Sequence, residues 1–233
     1  MRKKTSVDTY TVGDQYATLT YGYNDKGYIA TRGDQNTSQY ESYTYDALGR
    51  LTQVSVDGVQ NYYFGYDGSG NMTQNSRVSA DYLGYDASQP HAVSSVRATE
   101  GSISPSRCEV SYNRRNRPAS ITEEDWKLNL SYGAGLQREK SVLTYEGNPV
   151  RTTLFISGDC EHEETPTFSR YIDYIKVGGQ TVALHVYNET ANGDSIYYVQ
   201  TDLLGSWERV VDADKNVVLP DIFTRTAKKS PTW

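Results

Sequence analysis

The segment Tyr43-Thr44-Tyr45-Asp46-Ala47-Leu48-Gly49-Arg50-Leu51 decides the fold, because its central pattern recurs along the first 132 residues. The pattern is an aromatic or aliphatic residue, any residue, a tyrosine, and then Asp or Asn, with Gly in the last copy. Successive second tyrosines lie 22, 21, 19, 27 and 20 residues apart. A period of about twenty residues is typical of stacked repeat architectures.

Each copy of the pattern combines residues that favour a turn after a strand. In three copies a glycine follows four residues after the second tyrosine, at Gly27, Gly49 and Gly70. Asp and Asn side chains bond the backbone two residues on, so the unit predicts strand, turn, strand. The other copies are Tyr21-Gly22-Tyr23-Asn24, Phe64-Gly65-Tyr66-Asp67, Leu83-Gly84-Tyr85-Asp86, Val110-Ser111-Tyr112-Asn113 and Leu130-Ser131-Tyr132-Gly133.

Further hairpins are predicted outside the repeat. Asp57-Gly58, Gly178-Gly179 and Asn192-Gly193 each separate apolar runs and suit tight turns. Residues 126–132 and 150–156 alternate apolar with polar side chains, which indicates strands with one buried face. No helical periodicity extends beyond about two turns. The sequence therefore predicts an all-β, antiparallel fold of hairpin repeats that form a curved ribbon.

The signals divide the chain into three parts. Residues 15–140 carry the repeat, residues 141–218 form longer and more aliphatic hairpins, and residues 219–233 form a divergent tail. Two interruptions are predicted as loops, a Ser- and Pro-containing stretch at 101–107 and an acidic stretch at 158–166.

Composition excludes several classes of protein. A hydrophobic content of 36% with 21 Tyr excludes outright disorder. A net charge of −6 without a basic stripe argues against nucleic-acid binding. No apolar run is long enough for a membrane span, and no apolar stretch follows the first four residues as in a signal peptide. Cys108 and Cys160 permit one disulfide but do not form a disulfide framework or a zinc ligand set.

The sequence gives little support for a catalytic site or a metal site. His91, His162 and His185 are widely separated and have no nucleophile beside them in sequence, so we predict no enzyme and no cofactor. The acidic stretch 159–164 holds carboxylate, imidazole and thiolate groups but lacks spaced metal-binding partners. Asp212-x-Asp214-x-Asn216 resembles half a calcium loop, although a hairpin turn explains it better.

The repeat tyrosines have two interpretations. Tyrosine offers a large apolar face with a polar tip, so a row of tyrosines can brace stacked strands or stack against sugar rings. Bracing is favoured, because each tyrosine directly precedes a turn. A carbohydrate-binding or adhesion surface is the alternative function.

The motifs resemble those of rearrangement-hot-spot (RHS) proteins. Tyr45 to Leu51 is similar to the YD repeat of that family, and Pro90-His91-Ala92-Val93 and residues 112–118 are further landmarks. Most specific is Tyr197-Tyr198-Val199-Gln200-Thr201-Asp202-Leu203-Leu204-Gly205-Ser206, which resembles the family's core signature. The resemblance extends from about Thr20 to Val218.

The resemblance implies a β-ribbon that spirals into a hollow shell around a C-terminal toxin or effector. It implies a structural role for the repeat and core residues, partners in the remaining shell and effector, and a secreted or cell-surface location. In the family an aspartyl self-cleavage segment follows the core, and residues 219–233 do not match it. We therefore expect a fragment of a longer protein. About 22 strands at ~4.8 Å each would give a ribbon about 105 Å long.

Overall fold

The computed structural model describes residues 5–12, 15–35, 37–76, 83–96, 108–202 and 204–218, with side chains from residue 18 onward. These residues form nineteen β-strands and no helix, and all neighbouring strands are antiparallel. The predicted all-β, antiparallel fold is confirmed. Among the described residues no helix is long and apolar enough to cross a membrane. The predicted loop at 101–107 and the tail 219–233 lie outside the described residues.

The first sheet has seven strands in sequence order. Its strands are β1 Thr5–Val12, β2 Gln15–Tyr23, β3 Ile29–Asp34, β4 Gln39–Tyr45, β5 Leu51–Val56, β6 Gln60–Tyr66 and β7 Met72–Asn75. The second sheet has twelve strands, again in sequence order. Its strands are β8 Gly84–Asp86, β9 Gln89–Val96, β10 Cys108–Tyr112, β11 Pro118–Glu123, β12 Trp126–Tyr132, β13 Arg138–Tyr145, β14 Asn148–Ser157, β15 Cys160–Glu164, β16 Ser169–Val177, β17 Gln180–Asn188, β18 Gly193–Thr201 and β19 Trp207–Val211.

Side-chain hydrogen bonds hold the two sheets next to one another in sequence order. Between β7 and β8 the Tyr85 hydroxyl donates to the Met72 carbonyl at 2.9 Å, and the Asn71 side-chain amide donates to the Pro90 carbonyl at 2.9 Å. The predicted division after residue 140 falls within β13, which pairs with β12 over seven positions. That division therefore concerns the repeat pattern and does not coincide with a break in the sheet.

Consecutive antiparallel strands place alternate turns at the same edge of the ribbon. The turns at 24–28, 46–50, 67–71, 87–88, 113–117 and 133–137 share one edge, which we call the motif edge. The predicted tight turn Asp57-Gly58 lies at the opposite edge, with φ values of 53° and 69°. The predicted turn at Gly178-Gly179 has φ values of 60° and 84°. Positive φ at both positions is the geometry that a two-residue hairpin requires.

The predicted acidic loop at 158–166 is wrong, because β15 occupies its centre. Cys160–Glu164 pairs with β14 on one side and β16 on the other. Glu163 is 6% exposed and forms ion pairs with Arg151 and Arg170 from those neighbouring strands. These two arginines compensate the carboxylate, so an acidic sequence lies within the sheet.

One face of the ribbon carries the apolar core, and we call it the inner face. In β16 to β18 it is formed by Ile172, Leu184, Val186 and Val199, with Tyr174, Tyr197 and Val210 packed against them. Burial of each such aliphatic side chain contributes about 1.5–3 kcal/mol. Leu19 and Tyr21 on β2 are 0% and 2% exposed.

The ribbon curls so that its last strand, β19, approaches β3. Arg32 on β3 forms an ion pair with Glu208 on β19, sixteen strand positions away. Sixteen spacings of ~4.8 Å give a path of about 77 Å around the turn. The predicted curvature is therefore a feature of the described chain.

Candidate functional site

The repeat motif builds the same turn at five of its six copies, and the copy at Asp86 instead has a shorter turn at 87–88. The Asp46 N–H donates to the Arg50 carbonyl at 2.9 Å, and the Gly49 N–H donates to the Asp46 carbonyl at 3.1 Å. Asp46 Oδ1 accepts from the N–H groups of Leu48 and Arg50, both at 2.9 Å. The Asp46 pKa lies below its ordinary value, chiefly because the Arg50 N–H stabilises the carboxylate. Aspartate therefore closes the turn with its own side chain.

The same pair of main-chain hydrogen bonds recurs at six further positions. The turns begin at Asn24, Asp67, Asn113, Gly133, Asp202 and Asp212. The predicted core residue Asp202 accepts from Leu204 and Ser206, both at 2.8 Å, so the core signature contains the repeat turn. Asp212 accepts from Asn216 at 2.8 Å, which matches the hairpin-turn interpretation.

In each of these turns, the residue three positions after the first one has a positive φ, which is the left-handed conformation. Gly49 has φ of 81° and Gly205 has φ of 83°. Glycine adopts this conformation without steric cost, which explains the glycines of the motif. Asn116, Leu136 and Lys215 occupy the equivalent position with φ of 57°, 64° and 68°.

Each repeat tyrosine stands at a β-bulge beside its turn. The register between β4 and β5 shifts at Thr44/Tyr45, and Tyr45 lies opposite Leu51. Equivalent shifts place Tyr66 opposite Met72 and Tyr132 opposite Arg138. A left-handed residue after a tight turn is the usual origin of such a bulge.

The tyrosine hydroxyls connect successive copies. Each hydroxyl donates a hydrogen bond to a main-chain carbonyl in the preceding copy of the motif. The residue with that carbonyl is the one that pairs with the tyrosine of the preceding copy. We call this series the tyrosine ladder. Its bonds are Tyr45 to Ile29 at 2.7 Å, Tyr66 to Leu51 at 3.0 Å, Tyr85 to Met72 at 2.9 Å, Tyr112 to Val93 at 2.8 Å and Tyr132 to Pro118 at 2.9 Å.

The ladder favours the bracing interpretation of these tyrosines. All five rings are half-buried, and all five hydroxyls bond to main-chain carbonyls. Arg50 strengthens the same contact, because its guanidinium lies 4.6 Å from the centre of the Tyr66 ring. Cation–π contacts of this kind add about 0.5–1 kcal/mol at exposed sites.

The remaining predicted tyrosines lie elsewhere. Tyr21 is buried on the inner face, and Tyr43 donates to Glu41 Oε2 at 2.5 Å. Burial raises the Tyr43 pKa above its ordinary value, and the bond to Glu41 raises it further. Tyr197 packs against the apolar core, whereas Tyr198 on the other face is 48% exposed.

A polar network joins β19 to β3 on the inner face. Arg32 bonds Glu41 at 3.2 Å and also pairs with Glu208. Burial would lower the Arg32 pKa, but the carboxylates of Glu208 and Glu41 raise it above its ordinary value. This network connects β3, β4 and β19, and sequence reasoning missed it because its members are far apart in the chain.

A second polar network occupies the inner face between β14 and β16. Glu163 bonds Arg151 at 3.3 Å and Arg170 at 2.5 Å. Burial raises the Glu161 pKa, although a hydrogen bond with Tyr174 opposes the rise. A cavity of about 270 Å³ adjoins these groups.

The three histidines have structural partners. His91 Nδ1 lies 2.7 Å from Asn71 Oδ1. His162 Nε2 lies 2.9 Å from Ser169 Oγ and 3.0 Å from Glu189 Oε2. The same nitrogen faces both groups, and the Ser169 hydroxyl donates to Glu189, so these residues do not form a nucleophile, base and orienting acid in series.

His185 connects three strands on the outer face. Its Nδ1 lies 3.2 Å from Asp173 Oδ2 and its Nε2 lies 2.8 Å from Asp194 Oδ1. The hydrogen bonds with Asp173 and Asp194 raise the His185 pKa above its ordinary value. Cys160 adjoins Asp173, and burial followed by this carboxylate raises the pKa of its thiol to about 11.

The acidic stretch 159–164 does not converge on one ion in the described chain. Alternation along β15 places Glu161 and Glu163 on the inner face and His162 on the outer face. Asp159 instead pairs with Lys176. Within the described residues no group of three His, Cys, Asp or Glu is arranged to hold a metal. No disulfide joins Cys108 and Cys160 in the described part of the chain.

Comparison with known proteins identifies the fold. The crystal structure of TcdB2-TccC3-TEV superposes on 87% of this chain with a TM-score of 0.57 and 13% sequence identity. A crystal structure of TcdB2-TccC3 without its hypervariable C-terminal region and the Tc holotoxin pore of Photorhabdus luminescens give TM-scores of 0.37 and 0.35, at 8% and 9% identity. The sequence matches no protein-family model and no curated protein.

The first of these matches supports an RHS-like fold. At 13% identity it demonstrates shared architecture alone. This chain spans 13% of the length of the TcdB2-TccC3-TEV chain. The described ribbon is therefore equivalent in extent to a small segment of that larger protein.

Proposed function

We propose that this chain is a non-catalytic segment of the wall of an RHS-type β-shell that encloses a C-terminal toxin or effector. The observation that carries the proposal is the curled ribbon of hairpins in strict sequence order, in which β3 and β19 meet at Arg32 and Glu208. The similarity to TcdB2-TccC3-TEV over 87% of the chain supports it. The repeat residues then serve to hold successive hairpins in register.

The curvature bears on how such a wall is assembled. A path of about 77 Å corresponds to a turn about 25 Å across. A folded effector of about 130 residues is about 36 Å across by the compactness scaling. The turn is narrower than this cargo, so this conformation does not surround such an effector by itself. We propose that enclosure requires further ribbon from the same shell.

The partners follow from this role. We propose that the chain contacts the remainder of the shell through the edge of β1 and through the other end of the ribbon, where Val217 bridges Val211 of β19, and contacts the effector through the inner face. An exposed strand edge is a ready template for pairing with another strand. A secreted or cell-surface location is proposed with the same function. The repeat tyrosines give no specific support to carbohydrate binding, because the ladder hydroxyls are bonded to the main chain.

The first test is genetic. We expect the coding sequence on both sides to continue the hairpin repeat in frame or after a frameshift, and an unrelated domain to follow. Absence of such sequence on both sides would overturn the wall proposal.

The second test is protection from proteolysis in the protein expressed with those flanking regions. We expect trypsin to cleave the C-terminal domain far more slowly inside the shell than in isolation. Arg32→Glu should shorten its lifetime by opposing Glu208, whereas Glu164→Gln, on an exposed carboxylate of β15, should not. Equal cleavage rates for the enclosed and isolated domain would refute enclosure.

A further inference from the structure

The inner face contains a small cavity of mixed chemistry. Its volume is about 270 Å³, and β12 to β16 form its walls. Leu128, Leu130, Phe155 and Ile172 supply apolar surface. Ligand pockets of about 300–1,000 Å³ take small molecules, so this cavity suits a guest of about one large side chain.

Arg138 at this cavity retains its hydrogen-bonding capacity. Its guanidinium lies 5.2 Å from the centre of the Phe155 ring. It makes no hydrogen bond or ion pair with any residue in the described part of the chain. A guanidinium held over a ring keeps its planar fork of N–H donors available, and that fork fits a carboxylate.

The neighbouring charges leave a positive balance. Arg138 and Arg151 line the cavity with Glu161 and Glu163, and Arg170 pairs with Glu163 beside it. Glu163 is fully engaged by Arg151 and Arg170. Burial raises the Glu161 pKa, and the Tyr174 hydrogen bond and the charges of Arg138 and Arg151 oppose that rise. Three arginines against two glutamates leave one net positive charge. A positive site is notable in a chain with a net charge of −6.

We propose that this cavity binds a carboxylate carried on a single apolar group, with the carboxylate on Arg138 and the apolar body against Phe155 and the leucines. The guest chemistry is that of a small arylalkanoate or of a polypeptide C-terminus that ends in a large apolar residue. The inference stands on the cavity itself. It does not require the wall proposal.

The test is titration followed by NMR of the isotopically labelled chain. The small probes are 3-phenylpropionate and its neutral analogue 3-phenylpropanamide. The peptide probes are Gly-Gly-Gly-Phe with a free C-terminus and the same peptide amidated. We expect each acid to bind about tenfold more tightly than its amide, because the Arg–carboxylate contact is charge-assisted. Tighter binding of the peptide acid would identify a chain terminus as the source, and tighter binding of 3-phenylpropionate would identify a free small acid.

Variants locate the site. Arg138→Gln should remove the preference for acid over amide, and Arg138→Lys should restore part of it. Phe155→Leu should weaken acid and amide alike. Arg115→Gln, on an exposed arginine in the 113–117 turn, should change neither. Equal affinity for acid and amide, or an unchanged preference in a folded Arg138→Gln protein, would overturn the proposal, as would shifts confined to residues outside the cavity.

Discussion

The hydroxyl of Tyr66 donates a hydrogen bond to the carbonyl of Leu51 at 3.0 Å, and Leu51 is the residue opposite Tyr45 at the preceding bulge. The pairing of β5 with β6 ends at Gln53 and Tyr63, two residues short of Leu51. The Leu51 carbonyl therefore takes its donor from a side chain instead of from a regular strand pair. The tyrosine of the next copy supplies that donor, which explains why tyrosine and turn recur as a pair.

Tyr66→Phe tests this ladder directly. The change removes the hydroxyl and leaves the Leu51 carbonyl without its donor, so the free energy of unfolding should fall by about 1 kcal/mol. Urea unfolding followed by circular dichroism measures the change. Tyr63→Phe on the same strand is the control, because Tyr63 is 46% exposed. Equal stability of the two variants would show that the hydrogen bond from Tyr66 to Leu51 does not contribute to the free energy of unfolding.

Gly49→Ala should cost more than Gly27→Ala. Both positions have positive φ, 81° and 83°, so both substitutions carry a left-handed penalty of about 1–2 kcal/mol. A Cβ at Gly49 would also lie 2.5 Å from the Tyr28 hydroxyl, whereas at Gly27 it would meet nothing within 4 Å. Displacing Tyr28 disturbs its ring contact with Tyr45 at 5.2 Å.

The excess cost should be about 0.5–1.5 kcal/mol, the range for an aromatic pair. Chemical denaturation of both alanine variants measures it. In a Tyr28→Ala background the difference between the two substitutions should disappear. A difference that persists there would assign the excess to the backbone of the 46–50 turn.

The local features of this fold can be predicted from the sequence, because each depends on a few neighbouring residues. Asp46 and Gly49 specify their turn through contacts within four residues, and Asp57-Gly58 specifies its hairpin in the same way. Asp202 closes the same turn, but Thr201 replaces the tyrosine before it. From the sequence, Asp202 therefore belongs to the core signature and not to the repeat.

The long-range contacts could not be predicted in this way. Arg32 meets Glu208 across 176 residues, and nothing near either residue indicates the other. The acidic stretch 158–166 was misassigned as a loop, because Arg151 and Arg170, which compensate Glu163, come from neighbouring strands. Ladder acceptors are main-chain carbonyls, which carry no sequence signal at all.

The contact between Arg32 and Glu208 should contribute measurably to closure of the ribbon. Their side chains are 16% and 24% exposed, so the pair is screened less than a surface pair. A double-mutant cycle with Arg32→Gln and Glu208→Gln should give a coupling energy of about 1–2 kcal/mol. This is less than for a fully buried pair, because Arg32 remains paired with Glu41 when Glu208 is changed. Glu208→Gln should also increase the radius of gyration in small-angle X-ray scattering.

Glu164→Gln is the matched control for this pair, because Glu164 is exposed. It should leave both the scattering curve and the stability unchanged. A coupling energy near zero together with an unchanged radius of gyration would show that the ribbon stays closed without the ion pair.

The protein should become less stable as the pH rises, because His185 loses its proton. Asp173 on β16 and Asp194 on β18 face its ring, and the Cys160 thiol beyond Asp173 stays neutral because its pKa is raised to about 11. Protonated imidazole donates from both nitrogens and can bond both carboxylates, whereas neutral imidazole donates from one. The folded pKa of His185 is raised above the ordinary value of 6.5.

A raised folded pKa fixes the sign of the effect. The contribution of His185 is fully present below pH 6.5 and is lost as the pH rises through the higher folded pKa. The melting temperature of the native protein should therefore decline from pH 6 to pH 8 more steeply than that of His185→Gln, which cannot titrate. Since His185 is only partly buried, 0.5 M NaCl should reduce the difference between the two proteins. Parallel pH profiles would show that His185 bonds its two aspartates equally well in either protonation state. The contact between His185 and the aspartates would then be a hydrogen bond without an ionic part.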